Sequence, residues 1–280
     1  MKTLSKTISI ILLVVSSMIF SSCGEKNDPP PNNVDTSGNT SGTTGSTKPV
    51  FTKKELLKSF ENCNPDSANC SYIKINYVEV SGPQTSELMN KYINNFLLNM
   101  YSMGDTSEVV YGSLDAMAAG FLKDYEDAKK EFPDMPGEWY LGATFTDTAG
   151  TDSIISFKQS YDMFTGGAHP VYYEFYYNFN TNTGDTLALS DIFKPGFENE
   201  LKTLVVNKFR KDQNLGPDDP LTKAGLFEDT LSYNYNYLLT EEGITFHYNI
   251  YEVWSYAQGT LDIFITYNDL KGILKPGGIY

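Results

Sequence analysis

One run of alternating side chains constrains this chain more than any other stretch. Between Tyr161 and Phe193, positions Val171, Tyr173, Phe175, Tyr177 and Phe179 are large and apolar, while Glu174, Asn178 and Asn180 are polar. Period-two alternation is the signature of a strand with one buried face. Asn182-Thr183-Gly184-Asp185 supplies a turn, and Thr186–Leu189 is expected to return as a shorter strand. A chain holding such a strand must build a sheet and cover its apolar side.

Three amphipathic stretches are available as the cover. In Ser86–Tyr101, residues Met89, Tyr92, Ile93, Phe96, Leu97 and Met100 form one helical stripe. Ser113–Phe132 repeats the pattern, with Ser113 placed to cap the start and Pro133 to stop the end. Phe197–Arg210 is the third, after Lys194-Pro195-Gly196. The tyrosines and methionines in these stripes read as core packing rather than as a ligand pocket.

Further strands are expected at Tyr72–Val80, at Trp139–Phe145 before a turn over Asp147–Gly150, and at Ile155–Met163, where Gln159 interrupts the apolar set. Ile244–Ile250 and Leu261–Tyr267 complete the series. Lys53–Phe60 reads as a short helix, Gly216–Ala224 as a loop or broken helix, and Asn268–Leu274 as a terminal helical turn. Helices segregated from runs of strands give an α+β class: an antiparallel sheet of about six strands packed by three amphipathic helices. Residues 50–280 are long enough for such a domain, with a helical first half at 70–135 and a strand-rich second half at 138–280.

The N-terminus reads as an address. Lys2 and Lys6 precede the apolar stretch Ile8–Phe20, and Ser21-Ser22 precede Cys23. Residues 1–22 are therefore expected to be a signal segment, with Cys23 lipidated as the mature N-terminus. The anchor would be acyl chains in a bacterial envelope membrane, the outer membrane being the expected one, and not a spanning helix. Residues 23–49, rich in Pro, Asn, Gly, Ser and Thr, form a flexible tether.

The formal net charge is −14, and removing Lys2 and Lys6 with the signal takes it to −16. Arg210 is the one arginine. A nucleic-acid backbone would be repelled, whereas a cationic protein would be attracted and steered. With Cys23 assigned to lipid, Cys63 and Cys70 remain, and their short spacing fits a small disulfide loop outside the cytoplasm. The sharper alternative, a zinc site of both cysteines with His169 and His247, lacks a usual ligand spacing. No metal or other cofactor is expected.

Catalytic signatures are thin. The chain has no G-x-S-x-G elbow, no H-E-x-x-H and no phosphate-cradling loop. Ser71-Tyr-Ile-Lys74 fits S-x-x-K but falls at the start of a strand. A carboxylate pair for glycoside cleavage remains the alternative, as a wall-active hydrolase with an unmarked site.

Two segments are unusual. Gly166-Gly167-Ala168-His169-Pro170 puts two glycines and a titratable ring between aromatic strands, either as a ligand contact or as a simple bulge. Tyr251–Gly259, with Tyr251, Glu252, Trp254 and Tyr256, reads either as a recognition loop for a protein or glycan or as a cap on the sheet end. His247 falls opposite Ile244, Phe246 and Tyr248, which suggests a solvated or edge position.

These two segments, each taken with the residues immediately C-terminal to it, resemble the RsiV-like domain family. It is the extracytoplasmic domain of lysozyme-sensing anti-sigma factors and also stands ahead of the catalytic domain in PdaC-type peptidoglycan deacetylases. The likeness rests on TGGAHP with its aromatic strand, then N-x-x-T-G-D and L-x-L-S-D-I-F, and on the closing YEVWSYAQGTLDIFITYNDL. It covers about residues 70–275. The resemblance implies an α+β envelope domain, in some members a receptor for lysozyme and in others an accessory to a wall enzyme. Its motif positions here are Gly166, Gly167, Ala168, His169, Tyr251, Glu252, Tyr256, Ala257 and Gly259. The chain departs from the pattern in carrying a lipoprotein-like signal where an anti-sigma factor has a spanning helix. Trp254 and Ser255 also stand where smaller residues or proline are usual. Signalling and deacetylation are therefore not expected to carry over. The expected role is a non-enzymatic, lipid-anchored domain that binds a lysozyme-like cationic protein or a peptidoglycan fragment.

Overall fold

The computed structural model describes residues 49–82, 85–101, 111–135, 137–150 and 153–278, the side chains of 147–150 excepted. Residues 1–48, with the expected signal, Cys23 and all but the last residue of the tether, lie outside the described residues, as does Pro83.

Five strands form one sheet in the order β1 (Val50–Ser59), β2 (Tyr72–Ser81), β3 (Tyr140–Gly150), β4 (Ile154–Phe164) and β5 (Val171–Asn180). β2 and β3 are parallel, and the other neighbours antiparallel. Parallel neighbours need a long crossover, and this one carries α1 (Thr85–Asn99) and α2 (Leu114–Glu131). A second, antiparallel sheet holds β6 (Tyr237–Leu239), β7 (Gly243–Tyr248) and β8 (Leu261–Thr266). Between the sheets in sequence come the short α3 (Leu189–Ile192) and the long α4 (Glu198–Asp212), and α5 (Tyr267–Leu270) follows β8. The α+β class holds, but among the described residues it is a mixed five-stranded sheet and a three-stranded sheet with five helices, not one antiparallel sheet with three.

Each sheet has its own helical cover. Met89, Ile93 and Leu97 of α1 and Met117 and Phe121 of α2 pack against Ile73, Ile75, Leu141, Phe145 and Phe157. Ser113 caps α2, its Oγ accepting from the Ala116 N–H at 3.1 Å. Leu201, Val205 and Phe209 of α4 lie under Ile244, Phe246, Ile263 and Ile265. Among the described residues no helix is long and apolar enough to cross a membrane.

Several local expectations are corrected. Lys53–Phe60 is largely the edge strand β1, because ten residues pair with β2 and that pairing overrides helical propensity. Its Lys53, Lys54, Glu55 and Lys58 discourage further edge pairing. Asp147–Gly150 is not a turn; β3 continues to Gly150 past an irregularity between Asp147 and Ala149. Thr186 makes only an isolated bridge to Phe179, and Leu189 starts α3. Gln159 does not interrupt the buried face of β4, since it is itself buried and accepts from Tyr177 Oη at 3.2 Å. Cys63 and Cys70 are joined as a disulfide, so the zinc alternative falls.

The largest correction concerns β5. Its odd positions Tyr173, Phe175, Tyr177 and Phe179 pack under the first helical layer as expected. Tyr172 is left exposed, but the even positions Glu174, Tyr176, Asn178 and Asn180 are at least partly covered too. They face the three-stranded sheet, and side-chain amides join the two. Asn178 Oδ1 accepts from the Leu239 N–H at 2.9 Å and from Ser156 Oγ at 2.7 Å, while its Nδ2 donates to the Tyr237 carbonyl at 2.7 Å. The Glu174 N–H donates to Asn249 Oδ1 at 2.7 Å, and the Tyr176 N–H donates to Asn236 Oδ1 at 2.9 Å. The Glu174 carbonyl accepts from Asn236 Nδ2 at 2.8 Å and Asn249 Nδ2 at 3.0 Å. Strand-edge groups that would otherwise be buried without partners are thus satisfied by asparagines.

Asn178 is 3% exposed, so shortening it strands a backbone donor and a backbone acceptor, while Ser156 Oγ keeps the Leu239 carbonyl at 3.1 Å. Asn178→Ala is expected to cost roughly 2–4 kcal/mol, read as a lower urea midpoint at unchanged slope.

Candidate functional site

The hairpin between β4 and β5 and the turn after β7 meet at one place. Gly166 and Gly167 have φ of +93° and +103°, a backbone region that side-chain-bearing residues rarely adopt, and this presents His169 at the hairpin tip. The His169 ring lies on Tyr256, with centroids 4.0 Å apart and planes 26° apart. Tyr251 stacks beside it at 6.3 Å, and its Oη is 3.3 Å from His169 Nε2. Tyr256 Oη donates to the Pro170 carbonyl at 3.3 Å. His169 and Tyr251 are exposed, Tyr251 by 51%.

This surface is held from beneath. Tyr251 itself sits at φ +63°, an uncommon conformation for a bulky side chain. Glu252 fixes that turn: its Oε2 accepts from the Asn249 N–H at 2.8 Å and its Oε1 from Asn234 Nδ2 at 2.9 Å. Trp254 is only 7% exposed and packs in the second core, with Nε1 donating to the Gly259 carbonyl at 2.8 Å. Of the positions singled out in sequence, His169, Tyr251 and Tyr256 form the surface, Gly166 and Gly167 shape the loop, and Glu252 and Trp254 support the turn.

The rest of the conspicuous motif is structural. A Cβ on Gly184, at φ +79°, would stand 2.4 Å from the Thr85 carbonyl oxygen, so the turn after β5 needs glycine to close on the start of α1. Asp191 holds the first turn of α3, accepting from the Ala188 N–H at 2.8 Å.

Next to the surface lies a polar seam that the alternation pattern does not announce. Glu174 accepts from Lys158 Nζ at 2.8 Å, from Tyr172 Oη at 2.5 Å and from Tyr176 Oη at 3.4 Å. Burial pushes its carboxyl pKa up, but the hydrogen bonds from Lys158 and Tyr172 and the charge of Lys158 outweigh this and hold it below the ordinary value. Asp162 is shifted the other way, raised mainly by burial. His247 is wholly buried rather than solvated, because its face of β7 is the one turned toward β5. The signal for this lies in Tyr176, an aromatic at an even position of β5 between polar Glu174 and Asn178.

Tyr251 carries its strained conformation for the surface and not for the core. Tyr251→Gly is expected to raise stability by about 1 kcal/mol, read as a higher melting temperature.

Comparisons with known proteins divide the chain in two. Residues 65–172 match the family model described as Deacetylase PdaC, and residues 190–268 match Protein of unknown function (DUF3298). A DUF3298 family structure from Bacteroides fragilis is 20% identical with a TM-score of 0.66, over 82% of this chain and 95% of that one. Another from Pseudomonas aeruginosa PAO1 is 20% identical with a TM-score of 0.63, over 81% and 94% respectively. At that identity the likeness is one of fold. No curated protein matches the chain. The chain thus has the fold of solved DUF3298 family proteins and joins a PdaC-like first part to a DUF3298-like second part.

Proposed function

We propose that this protein is a cell-envelope binding domain, lipid-anchored through Cys23, that recognises a lysozyme-like cationic protein and has no catalysis of its own. The observation that carries this reading is the His169–Tyr251–Tyr256 surface. It is exposed, aromatic and fixed by two separate turns, one of them strained, and such a surface gives contact area at little ordering cost. The net charge of −14 favours a cationic partner. The PdaC match and the resemblance to the RsiV-like family support a wall-related accessory role. The Lys2–Cys23 pattern supports the anchor.

A wall-active hydrolase is the second reading. It is favoured by Asp162 and Glu174, whose carboxyls are shifted in opposite directions on the same sheet face, as an acid and a base require.

Calorimetry of soluble Glu25–Tyr280 against lysozyme tests the proposal. Saturable binding is expected, weakening several-fold from low to moderate salt and falling at least about ten-fold in Tyr251→Gly. Absence of binding would remove lysozyme as the ligand. Release of wall fragments that Glu174→Gln abolishes would favour the hydrolase.

A further inference from the structure

His247 lies in the seam between the two sheets with one nitrogen satisfied and one not. Nδ1 is 2.6 Å from Asp262 Oδ1 on β8. Nε2 has no hydrogen-bond partner among the described residues and faces Glu174 Oε2 on β5 at 4.0 Å. The Tyr176 ring packs edge-on against the imidazole at 5.5 Å. Lys158 of β4 and Tyr172 of β5 reach the same Glu174 carboxylate. On the other side, Asn234 Nδ2 donates to both the His247 carbonyl and Glu252 Oε1.

A neutral ring leaves this arrangement doubly unfavourable. The buried Nε2 lone pair has no donor, and it is turned toward a carboxylate. Asp262 and Glu174 face the ring against the single ammonium of Lys158, so the immediate cluster carries one excess negative charge. A proton at Nε2 would remove both faults, supplying a donor to Glu174 and cancelling the excess charge.

We propose that His247 and Glu174 form a proton-operated clamp between the sheets. The proton comes from solvent and settles on Nε2. The imidazolium then donates to Asp262 from Nδ1 and to Glu174 from Nε2, closing the 4.0 Å gap to hydrogen-bond distance. His247 leads along β7 into the turn of Tyr251, and Glu174 follows the hairpin of His169 on β5. Closing the clamp therefore firms the seam that carries both halves of the exposed aromatic surface. The clamp stands whether or not that surface binds lysozyme.

Ring-nitrogen NMR of the full chain tests this, since it contains only two histidines and His169→Gln assigns the other. As the pH is lowered, the His247 ring is expected to pass from a single N–H at Nδ1 to an N–H at both nitrogens. The new Nε2–H should exchange slowly with water, and the Glu174 carboxyl carbon should shift with the same midpoint. In Glu174→Gln the midpoint should move to lower pH by roughly one unit. A wild-type ring that keeps one proton throughout overturns the clamp, as does a midpoint that Glu174→Gln leaves in place. Should that variant not fold, the Glu174 carbon decides: a shift independent of the His247 midpoint overturns the proposal.

Discussion

The outer backbone edge of β5 is the constraint on which the second half of the molecule depends. A strand edge buried without partners is costly, because each lone N–H or C=O forgoes water without replacement. Here the partners are mostly side chains: Asn249 and Asn236 at Glu174 and Tyr176, with Asn178 reaching across to β6. Asparagine suits the task because one amide offers a donor and an acceptor, as a peptide group does. The three-stranded sheet thereby docks on β5 without continuing its ladder.

That docking sets the geometry of the surface. The same Asn249 that binds the Glu174 backbone opens the turn that raises Tyr251, and the N–H of Asn249 is held by Glu252. β5 begins at Val171, just beyond His169 and Pro170. The stacked rings therefore come from loops whose bases are tied to one another. Strain at Tyr251 and positive φ at Gly166 and Gly167 are stable in this setting because the surrounding bonds over-determine them.

Much of the fold is legible in the sequence. Long stripes such as Met89–Ile93–Leu97 and Leu201–Val205–Phe209 announce helices because they repeat one local rule over several turns. β1 is hidden because its pairing with β2 is non-local, and β6 because three residues are too few to show a period. The division into two sheets is hidden by the alternation itself. Polar residues on β5 read as solvent-facing, whereas Asn178 faces another sheet and is buried. Of the site, His169, Tyr251 and Tyr256 are legible as unusual residues beside glycines and turns. The role of Trp254 in the core and the burial of His247 are not, since each depends on what packs across from it.

On the proposed function, one pre-formed aromatic surface, and not the sheet face beside it, receives the partner. Amide hydrogen exchange of the soluble domain with and without lysozyme tests this most directly. Protection is expected to be confined to the hairpin 165–172 and the turn 249–258, with little change in β2 or β3. Protection centred on those strands, or none at either loop, would contradict it.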